Sequence, residues 1–382
     1  MANMKHLKTV TYLFISLSIG IHLAAFPVHS EVIKTLYQDI QISVLVSGLE
    51  HPWGLAFLPG GEILVTERPG RLRIIRERQL DPNPIAGLPM ISARGQGGLL
   101  DVVLHPKFSE NNLVYFSFSG PGNDGVGTEV ARGKLVENRL EDVQIIFRMK
   151  PKSSSGRHFG SRLVFDPDGY LYITLGDRGD RERAQLTNDH AGSVVRLHDD
   201  GQVPLDNPFV GKTNWLPEKY TLGHRNIQGA AIHPKTGTLW IHEHGPQGGD
   251  EINIIGPGTN YGWPVITYGV NYVIGTKIGE GTHKPGLAQP IYYWVPSIAP
   301  SGMTFYSGEK FPNWRGDLFV GALKDQMLVR LRLDGSSVLN EERLLKNKLG
   351  RIRAVAESPD GYLYLLTDEK NGSLVRLEPA QQ

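Results

Sequence analysis

Arg157-His-Phe-Gly-Ser-Arg-Leu-Val-Phe-Asp-Pro-Asp-Gly-Tyr-Leu-Tyr-Ile-Thr-Leu-Gly-Asp177 reads as two β-strands folded about the turn Asp166-Pro167-Asp168-Gly169. Folding at that turn places residues at equal distance from it opposite one another. His158 and Asp177 each lie about nine residues from the turn and therefore meet at the open end of the hairpin. A histidine beside a carboxylate is the smallest general-base unit, because the carboxylate fixes the imidazole tautomer and stabilises the imidazolium.

The same design recurs along the chain. An apolar strand, a turn with Pro or Gly and a second apolar strand appear at Trp53–Thr66, and at Leu99–Pro106 answered by Leu113–Phe118. After the hairpin above they return at Gly229–Ile241, at Gly302–Tyr306 with Gly316–Gly321, and at Arg353–Leu366. Copies begin roughly every 50 to 70 residues, and no long amphipathic helix separates them. Strand pairs repeated at this period predict an all-β fold, a six-bladed β-propeller forming one domain over residues 31–382. A pair of β-sandwiches is the competing architecture. The near-continuous apolar runs fit sheets covered on both faces. The segment Glu31–Val46 is expected to return to the last blade and close the ring.

Residues 1–30 stand apart. Lys5 and Lys8 precede an apolar run from Thr9 to Val28, and Val28-His29-Ser30 offers a cleavage site before Glu31. This is the layout of a secretory signal peptide and predicts a periplasmic or secreted protein. Ser16, Ser18, Gly20 and His22 interrupt the run, which argues against a stable membrane insertion. The chain has no Cys, so disulfides, thiolate catalysis and Cys-based metal sites are excluded. A net charge of +1 gives no electrostatic reason to bind nucleic acid. Neither a Gly-x-Ser-x-Gly elbow nor a Gly-rich phosphate loop opening a helix is present, which argues against an α/β-hydrolase and a dinucleotide dehydrogenase.

In a propeller the open ends of all the inner hairpins gather on one face. They carry Glu67 and Arg68; Gln96-Gly-Gly98; His158 and Asp177; Arg225 and Asn226, with His242-Glu-His-Gly-Pro246 across the hairpin; Ser297 and Lys324; and Arg351-Ile-Arg353. Alternation along a strand points Arg351 and Arg353 the same way. Lys324, Arg351 and Arg353 on adjacent blades would repel one another unless an anion sat among them, and a carboxylated or phosphorylated small ligand meets that need. His242 and His244 share a strand face, but no third ligand at metal-site spacing accompanies them. Consecutive carbonyls at Gly245-Pro246 are a weak signal for Ca²⁺. The residues alone thus give a propeller with a His–Asp base and a cationic pocket. A Ca²⁺-dependent propeller hydrolase such as a lactonase, and a non-catalytic binding propeller, stay open at this point.

The motifs Gln96-Gly-Gly-Leu-Leu100, His158 with Gly176-Asp177, Gly223-His-Arg-Asn-Ile-Gln228 and Glu243-His-Gly-Pro246 occur together. So do Asp250-Glu-Ile-Asn253, Asn260-Tyr-Gly-Trp-Pro264, Leu323-Lys324 and Arg351-Ile-Arg353. With this set the chain resembles the glucose/sorbosone dehydrogenase family of quinoproteins, six-bladed propellers that use pyrroloquinoline quinone, and within it the periplasmic aldose sugar dehydrogenases of bacteria. The resemblance implies oxidation of an aldose sugar at its C1 hydroxyl to an aldonolactone, with hydride transfer to the quinone. The electrons then pass to an external acceptor, whether quinone, dye or cytochrome. It further implies that His158 is the base, Asp177 its orienting partner, and Gln96 a contact to sugar or quinone. Arg225 would stabilise charge on the quinone oxygen. Asn226, Gln228, Ser297, Lys324, Arg351 and Arg353 would hold the cofactor. The carbonyls of Gly245 and Pro246 would bind Ca²⁺, and a second Ca²⁺ would lie near Glu251 and Tyr261. Trp294 sits one residue out of register with the glucose-oxidising members, and Ser297 stands where those can carry Thr, so sugar preference does not carry over.

Overall fold

The structure, a computed structural model, describes residues 31–380; the expected signal segment 1–30 lies outside the described residues. Six antiparallel sheets are present, five of four strands and one of five. Each begins with one of the repeats read from the sequence. The innermost strands are Pro52–Phe57, Leu99–Leu104, Leu163–Phe165, Ile227–Ile232, Pro300–Phe305 and Ile352–Glu357, and they define blades one to six. Each inner strand packs on the next all the way round, and that of blade six returns to that of blade one. The fold class and the six-blade count are as expected.

The ring is closed by the N-terminal part of the chain. Ile40–Leu49 pairs antiparallel with Gly372–Pro379, so blade six holds strands from both ends of the described chain. No cysteine is available to lock this seam, and its ladder and apolar contacts do so instead. Ile33 and Ile40 pack with Trp314, Phe319, Leu365 and Val375 between blades five and six.

A comparable apolar cluster fills each gap between neighbouring blades. This explains the unbroken apolar runs. Ile63–Glu67, Leu318–Ala322 and Leu363–Thr367 are buried at every position, because each of these strands is covered on both faces. A fully buried Leu or Phe contributes about 1.5–3 kcal/mol, and the stabilisation is spread around the ring instead of concentrated at one centre.

The open ends of the inner hairpins share an irregularity that the sequence did not disclose. Register shifts fall between Pro52 and Leu55, Leu99 and Val102, Ile227 and Gly229, Pro300 and Met303, and Ile352 and Ala354. In blade three the ladder runs Leu163↔Ile173, Val164↔Tyr172 and Phe165↔Leu171. Continued unbroken it would set His158 opposite Arg178. Instead Ser161 N donates to Thr174 O and Arg162 N to Thr174 Oγ1, so two residues face one. Gly160 at φ +64° and Ser161 at φ +90° make the extra half-turn, which brings His158 beside Asp177.

Candidate active site

His158 and Asp177 meet as expected. His158 Nδ1 lies 2.6 Å from Asp177 Oδ1, and both side chains are buried. His158 is held in a left-handed backbone conformation, φ +54°, which a non-glycine residue keeps only when its surroundings enforce it. Three contacts do so. Gln96 Oε1 accepts the His158 backbone N–H at 2.7 Å, and Asn226 Oδ1 accepts that of Gly160 at 3.2 Å. Arg178 donates to the carbonyls of Ser155 and Arg157, with its guanidinium stacked 3.5 Å above the Phe159 ring. Gly176 has to be glycine: a Cβ there would lie 2.3 Å from the His158 carbonyl.

Burial pushes the His158 imidazole below its ordinary range, and the Arg225 charge adds to this, while the bond to Asp177 opposes them. Burial alone would raise Asp177, but the hydrogen bond and charge of His158, the Gly179 N–H and Arg225 outweigh it, and the carboxyl ends up lowered. The pair is therefore a neutral imidazole donating from Nδ1 to a carboxylate. Nε2 is the basic nitrogen, and among the described residues no partner occupies it. His158 lines a pocket of about 120 Å³ together with Arg157, Arg181, Arg225, Trp263 and Tyr272.

A second cavity of about 370 Å³ adjoins the axis, lined among others by Gln96, Asn226, Gln228, His244, Arg351 and Arg353. Here the structure changes one inference. The converging arginines are not without a counter-ion. Asp368 Oδ2 lies 2.7 Å from Arg353 Nη2 and 3.7 Å from Arg351 Nη2, and Asp368 Oδ1 lies 3.0 Å from His51 Nδ1. Burial would raise Asp368, but Arg353, then His51 and Arg351, hold it well below the usual carboxylate range. Some positive capacity is left over. Among the described residues Arg353 Nε is buried without a partner, and the Arg351 side chain reaches only Leu323 O at 3.4 Å and the more distant Asp368. Arg353 also donates to Gln228 Oε1, whose own Nε2 donates to Gly160 O, and all three residues line this cavity.

The sequence profile of the Glucose / Sorbosone dehydrogenase family matches residues 49–376. The chain belongs to this family. It is 46% identical over 346 residues to the aldose sugar dehydrogenase YliI of Escherichia coli, covering 89% of this chain and 93% of that one. A solved glucose dehydrogenase is 50% identical with a TM-score of 0.87, covering 89% of this chain and 100% of that chain. The pyrroloquinoline-quinone-bound aldose sugar dehydrogenase of Streptomyces coelicolor is 28% identical with a TM-score of 0.75, covering 89% and 98%.

In this member of the family the remaining expected residues fall into two groups. Arg225 is where the hairpin arithmetic put it, across from Gly245-Pro246. Its Nη1, however, donates to Gly245 O at 2.8 Å and to His244 O at 3.1 Å. One of the two carbonyls expected to bind Ca²⁺ thus already accepts from a guanidinium, which puts a positive charge beside the expected ion. Ser297 turns its hydroxyl to buried Asp250 at 2.9 Å, and Lys324 Nζ donates to Ser297 O at 2.9 Å from an exposed position, so both stand outside the cavity lining. Glu251 and Tyr261 border one small cavity together with Glu243. Burial and the Glu243 carboxylate push Glu251 well above its ordinary range, whereas the Tyr261 hydroxyl is already bonded to Ile254 O. His242 and His244 do not form a metal pair. His242 packs against Gly229 with neither ring nitrogen bonded, and His244 Nε2 faces Pro300 O.

The expected set omitted Trp263, Arg178, Asp368 and His51. Trp263 lay within a motif already singled out, but its partner Asp177 is 86 residues away, and no local pattern links them.

Proposed function

We propose that this chain oxidises aldose sugars at the C1 hydroxyl to aldonolactones, using pyrroloquinoline quinone and passing the electrons to an external acceptor, after export to the periplasm. The observation that carries this reading is the neutral His158, fixed by Asp177 and facing a pocket shared with Arg225. A base of that kind takes the C1 hydroxyl proton on Nε2 while Asp177 stabilises the imidazolium that forms.

The axial cavity suits a small polycarboxylate. Its volume falls in the usual range for small-ligand sites, and Arg351, the orphaned Arg353 Nε and the Asn226 amide are donors awaiting an acceptor. Arg351, Arg353 and Asn226 would hold the cofactor, with Lys324 at the rim. When bound, pyrroloquinoline quinone supplies the two-electron sink that the side chains lack. Arg225 provides a positive charge in the lining of the His158 pocket, suited to an oxygen that gains electron density. The fit to Ca²⁺ at Gly245 and Pro246 is poorer, since the Arg225 cation sits 2.8 Å from Gly245 O, and no step is derived through the ion.

Reconstitution with pyrroloquinoline quinone and Ca²⁺, followed by dye reduction over a panel of mono- and disaccharides, tests the proposal. Sugar-dependent reduction is expected. Absence of turnover across the panel in protein shown to have bound the quinone would overturn it.

A further inference from the structure

The Asp177 carboxylate receives three hydrogen bonds. Two fall on Oδ1, from His158 Nδ1 at 2.6 Å and Gly179 N at 2.7 Å. The third comes from blade four: Trp263 Nε1 donates to Oδ2 at 2.9 Å. The indole is itself fixed. Trp263 N donates to Gly223 O at 2.9 Å, and Trp263 O accepts Gln185 Nε2 at 2.6 Å. Its ring is buried, lines the His158 pocket, and has the Arg225 guanidinium 5.5 Å and that of Arg181 5.9 Å from its centroid.

We propose that Trp263 is a positioning residue for the base: its N–H pins Oδ2 and, through Asp177, sets the proton affinity of His158. This rests on the reading of His158 as the base. A carboxylate held only at Oδ1 can rotate about its Cβ–Cγ bond, and the imidazole plane turns with it. Pinning Oδ2 removes that freedom. The bond also has an electrostatic effect. An indole N–H draws negative charge toward Oδ2, so Asp177 stabilises a protonated His158 less than a bare buried carboxylate would. Trp263 thus keeps His158 neutral at a pH where an undamped His–Asp pair would already hold a second proton. Tryptophan suits the task because it donates and never accepts, so its bond to Asp177 cannot reverse and Oδ2 is held as an acceptor.

Trp263→Phe removes the donor and keeps an aromatic ring. A second variant, with benzothienylalanine at position 263, replaces the indole N–H by sulfur in a ring of nearly the same shape and decides the matter should the Phe variant fold poorly. His158 ring protons are titrated by NMR in the apoprotein, and the pH profile of kcat/KM is measured in the quinone-loaded enzyme. In both variants the His158 midpoint and the acid limb should move to higher pH. The value of kcat should fall roughly 10- to 100-fold, the scale of one hydrogen bond to a charged group, with KM little changed. A midpoint that stays at the wild-type pH in folded variants would overturn the proposal, since a tryptophan that merely fills space leaves the titration unmoved. The apoprotein titration does not depend on sugar oxidation. A wild-type protein without quinone-dependent turnover would therefore remove the proposed activity and leave the hydrogen-bond chain to be judged separately.

Discussion

The inner hairpins of blades three and six share one plan and produce opposite chemistry. Each brings a basic side chain beside a carboxylate past the outgoing strand: His158, ahead of its incoming strand, with Asp177, and Arg353, at the start of its own, with Asp368. Both pairs are buried at the same mouth of the ring. In blade three, burial takes the charge off the base, and the result is a proton acceptor. In blade six, burial also pulls Arg353 down, but a guanidinium is so much more basic than an imidazole that the charge persists, and the carboxylate is driven down to match it. One scaffold position becomes a proton-transfer site or a fixed ion site according to the intrinsic basicity of the residue placed there.

The most drastic way to test this contrast is His158→Ala. Turnover should fall roughly 10²- to 10⁴-fold, the usual worth of a general base, while quinone binding followed by absorbance stays within a few-fold. Comparable losses in both would show that the two cavities do not act independently. Arg353→Met should act the other way round. Asp368 would lose its closest partner, at a cost of about 3 kcal/mol read as a lower urea midpoint, and quinone affinity should fall at least tenfold, roughly 1.4 kcal/mol. An unchanged affinity would remove Arg353 from the cofactor site.

Asp368→Asn sharpens the comparison further. It takes a fixed negative charge out of the anion cavity, so quinone affinity should rise about tenfold even as the apoprotein melts at a lower temperature. Were affinity to fall instead, Asp368 would be aligning the arginines more than competing for them. The pH profile should show the smallest effect. His158 must be neutral to accept a proton, so kcat/KM rises with pH as the imidazolium is lost, with a midpoint below the 6.5 of an unperturbed imidazole. Asp177→Asn, lacking the charge that favours the imidazolium, should push that midpoint lower still, and a rise would contradict the assigned pairing.

The molecule was legible in its sequence wherever the controlling interaction is local. The turn at Asp166–Gly169 and the apolar alternation around it place His158 near Asp177 without knowledge of the rest of the chain. The same arithmetic brought Arg225 to Gly245, and the Glu31–Val46 strand found its place on blade six. The β-bulge at Gly160 and Ser161 was not visible, since many sequences can carry an extra residue, and the estimate survived because the pairing was specified only to within one position. Of the three expected cations only Arg351 and Arg353 share the cavity, Lys324 lies outside its lining, and the counter-ion Asp368 was not foreseen. Asp368 follows the last inner hairpin as an unremarkable acidic residue, and nothing in the chain between them announces its bond to Arg353.

The sequence by itself determined the repeat, the blade count, the closure of the ring and the meeting of His158 with Asp177, because strand period and turn chemistry act over a few residues. The tertiary structure alone decided what each buried charge is paired with. Trp263 reaches Asp177 from the next blade, Asp368 answers Arg353, and Arg225 takes the Gly245 carbonyl. These pairings are set by desolvation: a buried polar group has to find a partner wherever the closed ring brings one, however far away that partner lies along the chain.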